Sequence, residues 1–522
     1  MAFFSFKAAP LMTIGFSVLI VIFLWWVLKR GKKNAKRLAL PPGPFAWPAI
    51  GNLHQLGDLP HRSLEKLSKK YGELMFMRLG SVPTLVVSSA QMAKDILTTH
   101  DLVFGNRPAT AAARYVAYGE IDPGLAPYGP YWRHMRKISV MQLLSVKRVD
   151  SFACLREEEA AVGVRSIWDR SLHGKLPVNV TAAISSIISS IMWGTLAGTN
   201  TGSYSDLLGS SDELRMMINE VINMVGAFNI GDFFPYGEWL DQLRGMKRRM
   251  TRAHDFFDRV VGRIIDQHVE RNAKVDAGEN EHVKDLVDVL LDIEKEEPDG
   301  ENGIKVTREH IKAIIFDMFL GGTETTIVTL EWAMSEMLRN PRMAKKLQEE
   351  IESIVGKHRM VKECDLANME YLQCVVKETF RLYPAGPIML PHESTKACTV
   401  AGYHIPNKTR LVVNVWAIGR DPMIWEDPLT FNPERFMIKN QNDTGRDFNM
   451  LPFGAGRRGC PGAYLATRDV EFVLAQLMHC FDWKLEANKD PSQLDMSEAF
   501  TTSIPRKVNL FAIPTFKVDM GF

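Results

Sequence analysis

The chain has 522 residues, of which 24% are charged, and a formal net charge of +2. Such a length makes several ordinary domains or one large one, and the near balance of charge leaves no global field for nucleic acid. Its six cysteines, at 154, 364, 374, 398, 460 and 480, show neither paired nor metal-type spacing, which argues against a disulfide framework and favours a reducing compartment.

Leu11 to Leu28 is a run of 18 residues without a charge, just long enough at about 1.5 Å per residue to span a hydrocarbon core. Lys29, Arg30, Lys32, Lys33, Lys36 and Arg37 follow it, so the bulk of the chain is expected on the cytosolic side. A cleaved signal peptide would carry its positive region first and a small-residue cleavage site afterwards. Residues 1–28 are therefore read as a membrane anchor. Residues 29–52 are a basic cluster and a stiff hinge, with Leu40-Pro41-Pro42-Gly43-Pro44 and Trp47-Pro48 unable to form a helix. Residues 53–522 are read as one body.

Within that body, Leu74 to Val87 alternates and predicts strands around a turn at Gly80 and Pro83. Helical periodicity covers about 140–172, 210–227, 240–272, 308–339, 342–356, 369–382 and 463–481. The charged stretch Asp276 to Gly303 is read as a surface loop. The fold class is mainly α with a minor β-sheet, in one large domain.

Five constellations carry chemistry. Trp132 and Arg136, four apart, share a helix face and together suit a carboxylate such as a haem propionate. Gly321-Gly322-Thr323-Glu324-Thr325-Thr326 puts two glycines in a helix interior, at a cost of about 2 kcal/mol relative to alanine; the missing side chains leave room for a flat cofactor or a gas. Glu324 and Thr325, an acid beside an alcohol, suit proton relay through water. Glu378 and Arg381 share one face of an apolar helix, and Pro433-Glu434-Arg435-Phe436 offers a second arginine. Leu390-Pro391-His392 follows the proline-rich segment Tyr383 to Pro387. Last comes Phe453-Gly454-Ala455-Gly456-Arg457-Arg458-Gly459-Cys460-Pro461-Gly462, a tight loop before a helix. A cysteine near a helix N-terminus beside cations favours thiolate, which suits an axial iron ligand, and Arg458 suits an acidic group on a macrocycle rim.

These motifs, in this order from about residue 11 to 516, resemble the cytochrome P450 family and its plant microsomal A-type group, as does Asn414 to Asp421. The resemblance implies a triangular, mostly helical fold carrying haem b, with the Cys460 thiolate on iron. It assigns Phe453, Arg458, Trp132, Arg136 and His392 to cofactor binding, the last three at the propionates or haem edge. Glu378, Arg381 and Arg435 become a buried structural triad, and Glu324 with Thr325 the proton-delivery pair. The pocket would draw on Phe104, Phe316, Gly321, Ala385, Ile388, Met389, Thr501 and Thr502, with Met217 and Met224 as adaptable packing.

The activity so implied is a monooxygenase using O2 and NADPH through a separate flavoprotein reductase, since the chain shows no flavin or nicotinamide fingerprint of its own. Lys137, Lys147 and Arg148 would face that reductase. The expected address is the endoplasmic reticulum membrane, single-pass, with a cytosolic catalytic body and no nucleic-acid partner. The substrate is read as small and hydrophobic, a terpenoid first and a phenylpropanoid or flavonoid second. Two other classes stay open: a haem-thiolate isomerase or dehydratase acting on a peroxide without reductase, and a non-catalytic haem sensor or membrane scaffold. Dependence on NADPH separates the first, and the effect of altering Thr325 the second.

Overall fold

The structure is a computed structural model that describes residues 39–198, 220–276, 284–297, 303–437, 448–486 and 490–519. The anchor at Leu11–Leu28, the basic cluster and Met217 lie outside these residues. The principal helices are α1 (Pro60–Tyr71), α2 (Pro130–Lys137), α3 (Ala153–Arg170), α4 (Val180–Ala197) and α5 (Met246–Asp276). They continue with α6 (Leu286–Lys295), α7 (Arg308–Arg339), α8 (Pro341–Val355), α9 (Glu370–Leu382) and α10 (Ala463–Cys480).

Helix α7 is the axis of the molecule. Its sequence is apolar around the whole circumference, and residues such as Ile311, Ile314, Phe319, Leu330 and Trp332 are buried on different faces, as a helix enclosed by others requires. Helices α4 and α7 are both long and apolar enough to cross a membrane, yet most of each lies inside the protein core. Helix α8 is amphipathic instead, burying Leu347, Ile351 and Val355 at four-residue spacing. Helix α4 starts where the Asn179 side chain accepts the Ala182 N–H and ends at Gly198 in the left-handed region, φ +66°.

The sheets are small. Strands β1 (Leu74–Leu79) and β2 (Val82–Val87) form a hairpin. Three others, β3 (Val178–Asn179), β4 (His392–Glu393) and β5 (Cys398–Val400), are short. After them come β6 (Tyr403–Ile405), β7 (Arg410–Val413), β8 (Phe481–Leu485) and β9 (Phe511–Phe516). The larger sheet has the order β1-β2-β7-β4, a second β3-β9-β8, and β5 pairs with β6. Strand β2 runs parallel to β7 with Thr84 opposite Arg410, so the strand-rich segment near residue 80 meets one more than 320 residues later.

Four expectations are revised. Pro83 lies inside β2, and the turn falls at Gly80–Ser81; Pro83 is tolerated because the ladder to β7 begins only at Thr84, so its missing N–H breaks no pair there. The periodicity at 140–172 is interrupted, since α2 unwinds through a π-helical turn over Ile138–Leu143 before α3 begins at Ala153. Met246 rather than residue 240 begins the long α5, after a separate turn of helix at Glu238–Leu243. The presumed loop Asp276–Gly303 holds α6, whose Leu286, Val287, Leu290 and Leu291 join the main core. Asp285 and Asp288 form a capping box at its start; the high mean charge of the stretch hid a one-sided helix.

The hinge is docked rather than free. Phe76 N–H donates to Pro42 O at 2.9 Å and Asn52 N–H to Arg78 O at 2.6 Å, so residues from Pro42 onward lie along the edge of β1. Gly43 is needed there because a Cβ would collide with the Phe76 carbonyl.

Candidate active site

The cysteine loop folds on itself before α10 begins. Gly454 and Gly456 take positive φ, +65° and +72°, and Cys460 N–H closes the turn onto Phe453 O at 2.8 Å. The Phe453 ring packs edge-on against Phe380 of α9, with ring centres 5.1 Å apart. The Cys460 side chain is exposed, as is Gly321 of α7, with open space where its Cβ would stand, and we read the two as facing one cleft. Dense surroundings nonetheless raise the thiol, because burial outweighs the Gly462 N–H and the positive charge of Arg136. The two arginines before the cysteine do not supply its cation. Arg457 turns outward to Asp101, 3.0 Å away, and Arg458 turns into the protein. Arg136, reaching from α2 to donate to Gly459 O at 2.5 Å, is the charge beside the sulfur.

A cluster of cations lies along one side of the cleft. Arg458 donates from Nε to Gly105 O at 2.9 Å and from Nη2 to Ala126 O at 2.6 Å, and its guanidinium covers the Trp132 ring, 4.2 Å from its centre. Trp132 gives its own indole N–H to Pro123 O at 3.0 Å. Arg107, which the sequence reading did not single out, donates to Gly124 O, Leu390 O and Pro391 O. Burial and mutual repulsion push Arg458 down to about 9, while burial pushes Arg107 to about 10. Held so close in a poorly solvated place, these guanidiniums call for an anion.

His392 completes that side. Its Nδ1–H donates to Phe104 O at 2.8 Å, and its buried Nε2 has no partner in the protein. Burial, then Arg107, drives the ring down to about 3, so by itself it is neutral, with a bare acceptor at Nε2. A carboxylate brought to Nε2 would raise that value and make the ring a donor. The orphaned Nε2, the crowded guanidiniums and the accessible thiol together fit a flat dianionic macrocycle whose metal takes one thiolate.

Across the cleft, α7 presents Gly321, Glu324 and Thr325. No atom lies within 4 Å of where a Gly321 Cβ would stand. Thr325 Oγ1 donates to Gly321 O at 2.6 Å. Glu324 is held from the C-terminal loop: Ser503 Oγ donates to its carboxylate at 2.5 Å and Thr501 Oγ1 at 3.3 Å. Burial raises Glu324 above the usual carboxylate range, and those hydroxyls only partly offset it. Ser503, which falls within the expected pocket segment Phe500 to Ile504 but had no role of its own there, is thus a partner of Glu324.

The expected pocket residues divide. Thr501, Thr502, Ala385, Ile388 and Met389 are half-buried around the cleft, Met389 lying under Gly454. Phe104 is buried and contributes its carbonyl to His392. Phe316 is buried edge-on against Phe257 and Tyr118, so its ring serves the core. Behind the cleft, Arg381 grips Glu378 with two hydrogen bonds, 2.7 and 2.8 Å, both side chains fully buried. Arg435 Nε adds a third at 3.1 Å, and Asn432 N–H a fourth at 2.7 Å. The remaining guanidinium donors of Arg381 reach Gly419 O, Pro428 O and Thr430 O.

An α-rich body around one central helix, with a lone cysteine held in a glycine loop opposite an acid–alcohol pair, defines a haem-thiolate protein. Comparison narrows it: the family model for cytochrome P450 matches residues 41–510, and the chain belongs to that family. It is 48% identical over 519 residues to Cytochrome P450 750A1 of Pinus taeda, covering 98% of this chain and 97% of that one. It is 40% identical to Flavonoid 3'-monooxygenase CYP75B137 of Crocosmia x crocosmiiflora, covering 95% and 96%. A zebra fish cytochrome P450 solved with abiraterone shares the fold, with a TM-score of 0.71 at 21% identity over 88% of this chain and 99% of that one. The protein is a monooxygenase of the plant type, and its family carries haem-thiolate iron, uses O2 and takes electrons from a redox partner.

Proposed function

We propose that the protein is a membrane-anchored monooxygenase that hydroxylates a small hydrophobic plant specialised metabolite. Cys460, presented to the cleft beneath a cation cluster, carries the reading. Cys460 would supply the thiolate to the iron; Arg107, Arg136, Arg458 and His392 would hold the acidic groups of the macrocycle, with Trp132 bracing Arg458, and Phe453 would pack against it. When bound, the thiolate-ligated haem supplies oxygen activation. Overall, one oxygen atom enters the substrate and the other leaves as water, with two electrons from NADPH and two protons. Glu324 and Thr325 hold the water that brings those protons, and the raised proton affinity of Glu324 suits a donor. The triad Glu378, Arg381 and Arg435 keeps the wall behind the haem in place.

Electrons arrive from NADPH through a flavoprotein reductase, docking near the exposed Lys137 and Lys147 and half-buried Arg148. The address is the endoplasmic reticulum, with residues 1–28 as anchor and 53–522 as catalytic body. Exposed Phe45 and Trp47 of the hinge and exposed Tyr236, Trp239 and Leu243 support a membrane-facing surface. The two segments are linked, because Ser81 N–H next to the hinge donates to Phe233 O at 2.9 Å.

The scarcity of charged side chains among the expected pocket residues supports a rigid terpenoid as substrate; of the methionines expected there, Met389 is half-buried beside the cysteine loop, while Met224 packs in the main core. A second reading rests on relatives: a Prunus mume enzyme named for phenylacetaldehyde oxime and the flavonoid enzyme both bear names of aromatic compounds, which favours a phenylpropanoid or flavonoid. The deciding measurement is the difference spectrum of the reduced, carbon-monoxide-bound protein. A red-shifted Soret band that Cys460→Ser abolishes supports the reading; an unchanged band in that variant removes it. Product formation from both metabolite classes with NADPH and reductase then separates the substrates.

A further inference from the structure

The loop over residues 116–129 lies between the cation cluster and α7, and two acids hold it. Asp122 Oδ2 accepts the Leu125 N–H at 2.8 Å, and Asp317 Oδ2, from α7, accepts the Gly124 N–H at 2.6 Å. Gly124 sits against both carboxyls: a Cβ there would stand 3.1 Å from Asp317 Oδ2 and 3.4 Å from Asp122 Oδ2. The other oxygen, Asp122 Oδ1, is buried with no hydrogen-bond partner while both acids are ionised. Arg107 is the nearest counter-charge, but its hydrogen bonds run to the carbonyls of Gly124, Leu390 and Pro391. Two adjoining carboxylates, Asp122 fully buried and Asp317 half-buried, disfavour a second charge, and a proton between them satisfies the orphaned oxygen.

We infer that Asp122 and Asp317 share one proton and act as positioning residues that latch this loop onto α7 and so set the cation cluster. The route is short. The same loop offers Pro123 O to Trp132 and Arg458, Gly124 O to Arg107, and Ala126 O to Arg458. The backbone just before the pair needs such a hold, since Tyr118, Gly119 and Glu120 all have positive φ, +52°, +68° and +70°, a strained run for side-chain-bearing residues. The value of the latch to the haem edge rests on the function proposed above; the latch itself does not.

Burial lifts both acids above the ordinary carboxylate range. A group with a raised folded value stabilises most at low pH and loses that contribution as pH rises through it. The loop should therefore loosen on the alkaline side. The other groups facing the pair are Arg107, Arg458 from the cysteine loop and Tyr131 from α2, which donates to Ile121 O and itself feels Glu309 from the start of α7.

The test is amide hydrogen exchange of residues 119–128 in the full chain, at pH 6.0 and 8.5, corrected for the intrinsic pH dependence of exchange. In the natural protein, protection at Gly124 and Leu125 should fall with pH, by up to about tenfold per unit. Asp317→Asn keeps an acceptor for Gly124 N–H and gives Asp122 a permanent donor, so its protection should match the natural protein at pH 6.0 and stay flat to pH 8.5. Asp122→Asn should flatten it likewise, and Asp317→Ala should lose it at both. Arg458 remains in every variant, so a profile set by Arg458 would persist in Asp317→Asn. Such persistence, or protection in Asp317→Asn as poor as in Asp317→Ala, overturns the proposal. Haem retention is scored alongside: variants that bind no haem yet separate in exchange would keep the latch and refute the cofactor reading.

Discussion

At the residue scale, the tightest arrangement is the fully buried pair of Glu378 and Arg381. Arg381→Ala leaves Glu378 with Arg435 and a backbone N–H, and removes three further bonds to carbonyls. Losing one partner of a buried ion pair costs about 3–5 kcal/mol, so the variant should unfold at lower denaturant and retain little haem. Haem content per folded protein, measured with the denaturation midpoint, checks this. Glu378 and Arg381 were legible in the sequence because three residues along one helix is a local relation. So was Cys460, whose turn is coded by its own glycines. The roles of Arg107 and Ser503 were not, because what gives them meaning is a partner far along the chain: Leu390 O, 283 residues away, for one, and Glu324, 179 residues away, for the other.

At the element scale, α7 carries two glycines with different duties. A Cβ on Gly322 would stand 2.5 Å from Met192 Cε of α4, the flexible end of a side chain. A Cβ on Gly321 meets nothing within 4 Å. Gly321→Ala should therefore fold at least as well, gaining up to about 1 kcal/mol from helix propensity. Its methyl projects into the cleft, so carbon monoxide affinity or substrate affinity should drop while thermal stability holds. A fall in stability instead would show that the position is closed in the folded protein. Helices α8 and α9, with one apolar face, and α7, long and apolar all round, were read to within a residue from sequence. Helix α6 was missed because its apolar face is only a few residues wide and flanked by acids, and the break between α2 and α3 was missed because a π turn keeps a helix-like pattern.

At the scale of the whole molecule, pH acts through a few buried acids rather than through the net charge. Asp469 of α10 is buried, lies 3.8 Å from Arg156, and has no hydrogen bond on either oxygen. Burial pushes it up to about 7, against the pull of Arg156. Its contribution to stability is complete at acid pH and is lost as pH rises through about 7. Asp469→Asn should raise the melting temperature at pH 8 and change it little at pH 5; a melting curve at each pH decides. The segment near residue 500 has a different significance at this scale. Glu324 takes hydroxyls from Thr501 and Ser503, Trp332 donates to Ile504 O at 2.7 Å, Ser335 accepts from Arg506, and β3 pairs with β9. Residues made early and in mid-chain thus wait for partners that leave the ribosome after about five hundred others. While it is being synthesised, the protein therefore holds the residues of its central helix well before those of the wall that satisfies them, so Glu324, Trp332 and Ser335 can gain these partners only once the chain is nearly complete.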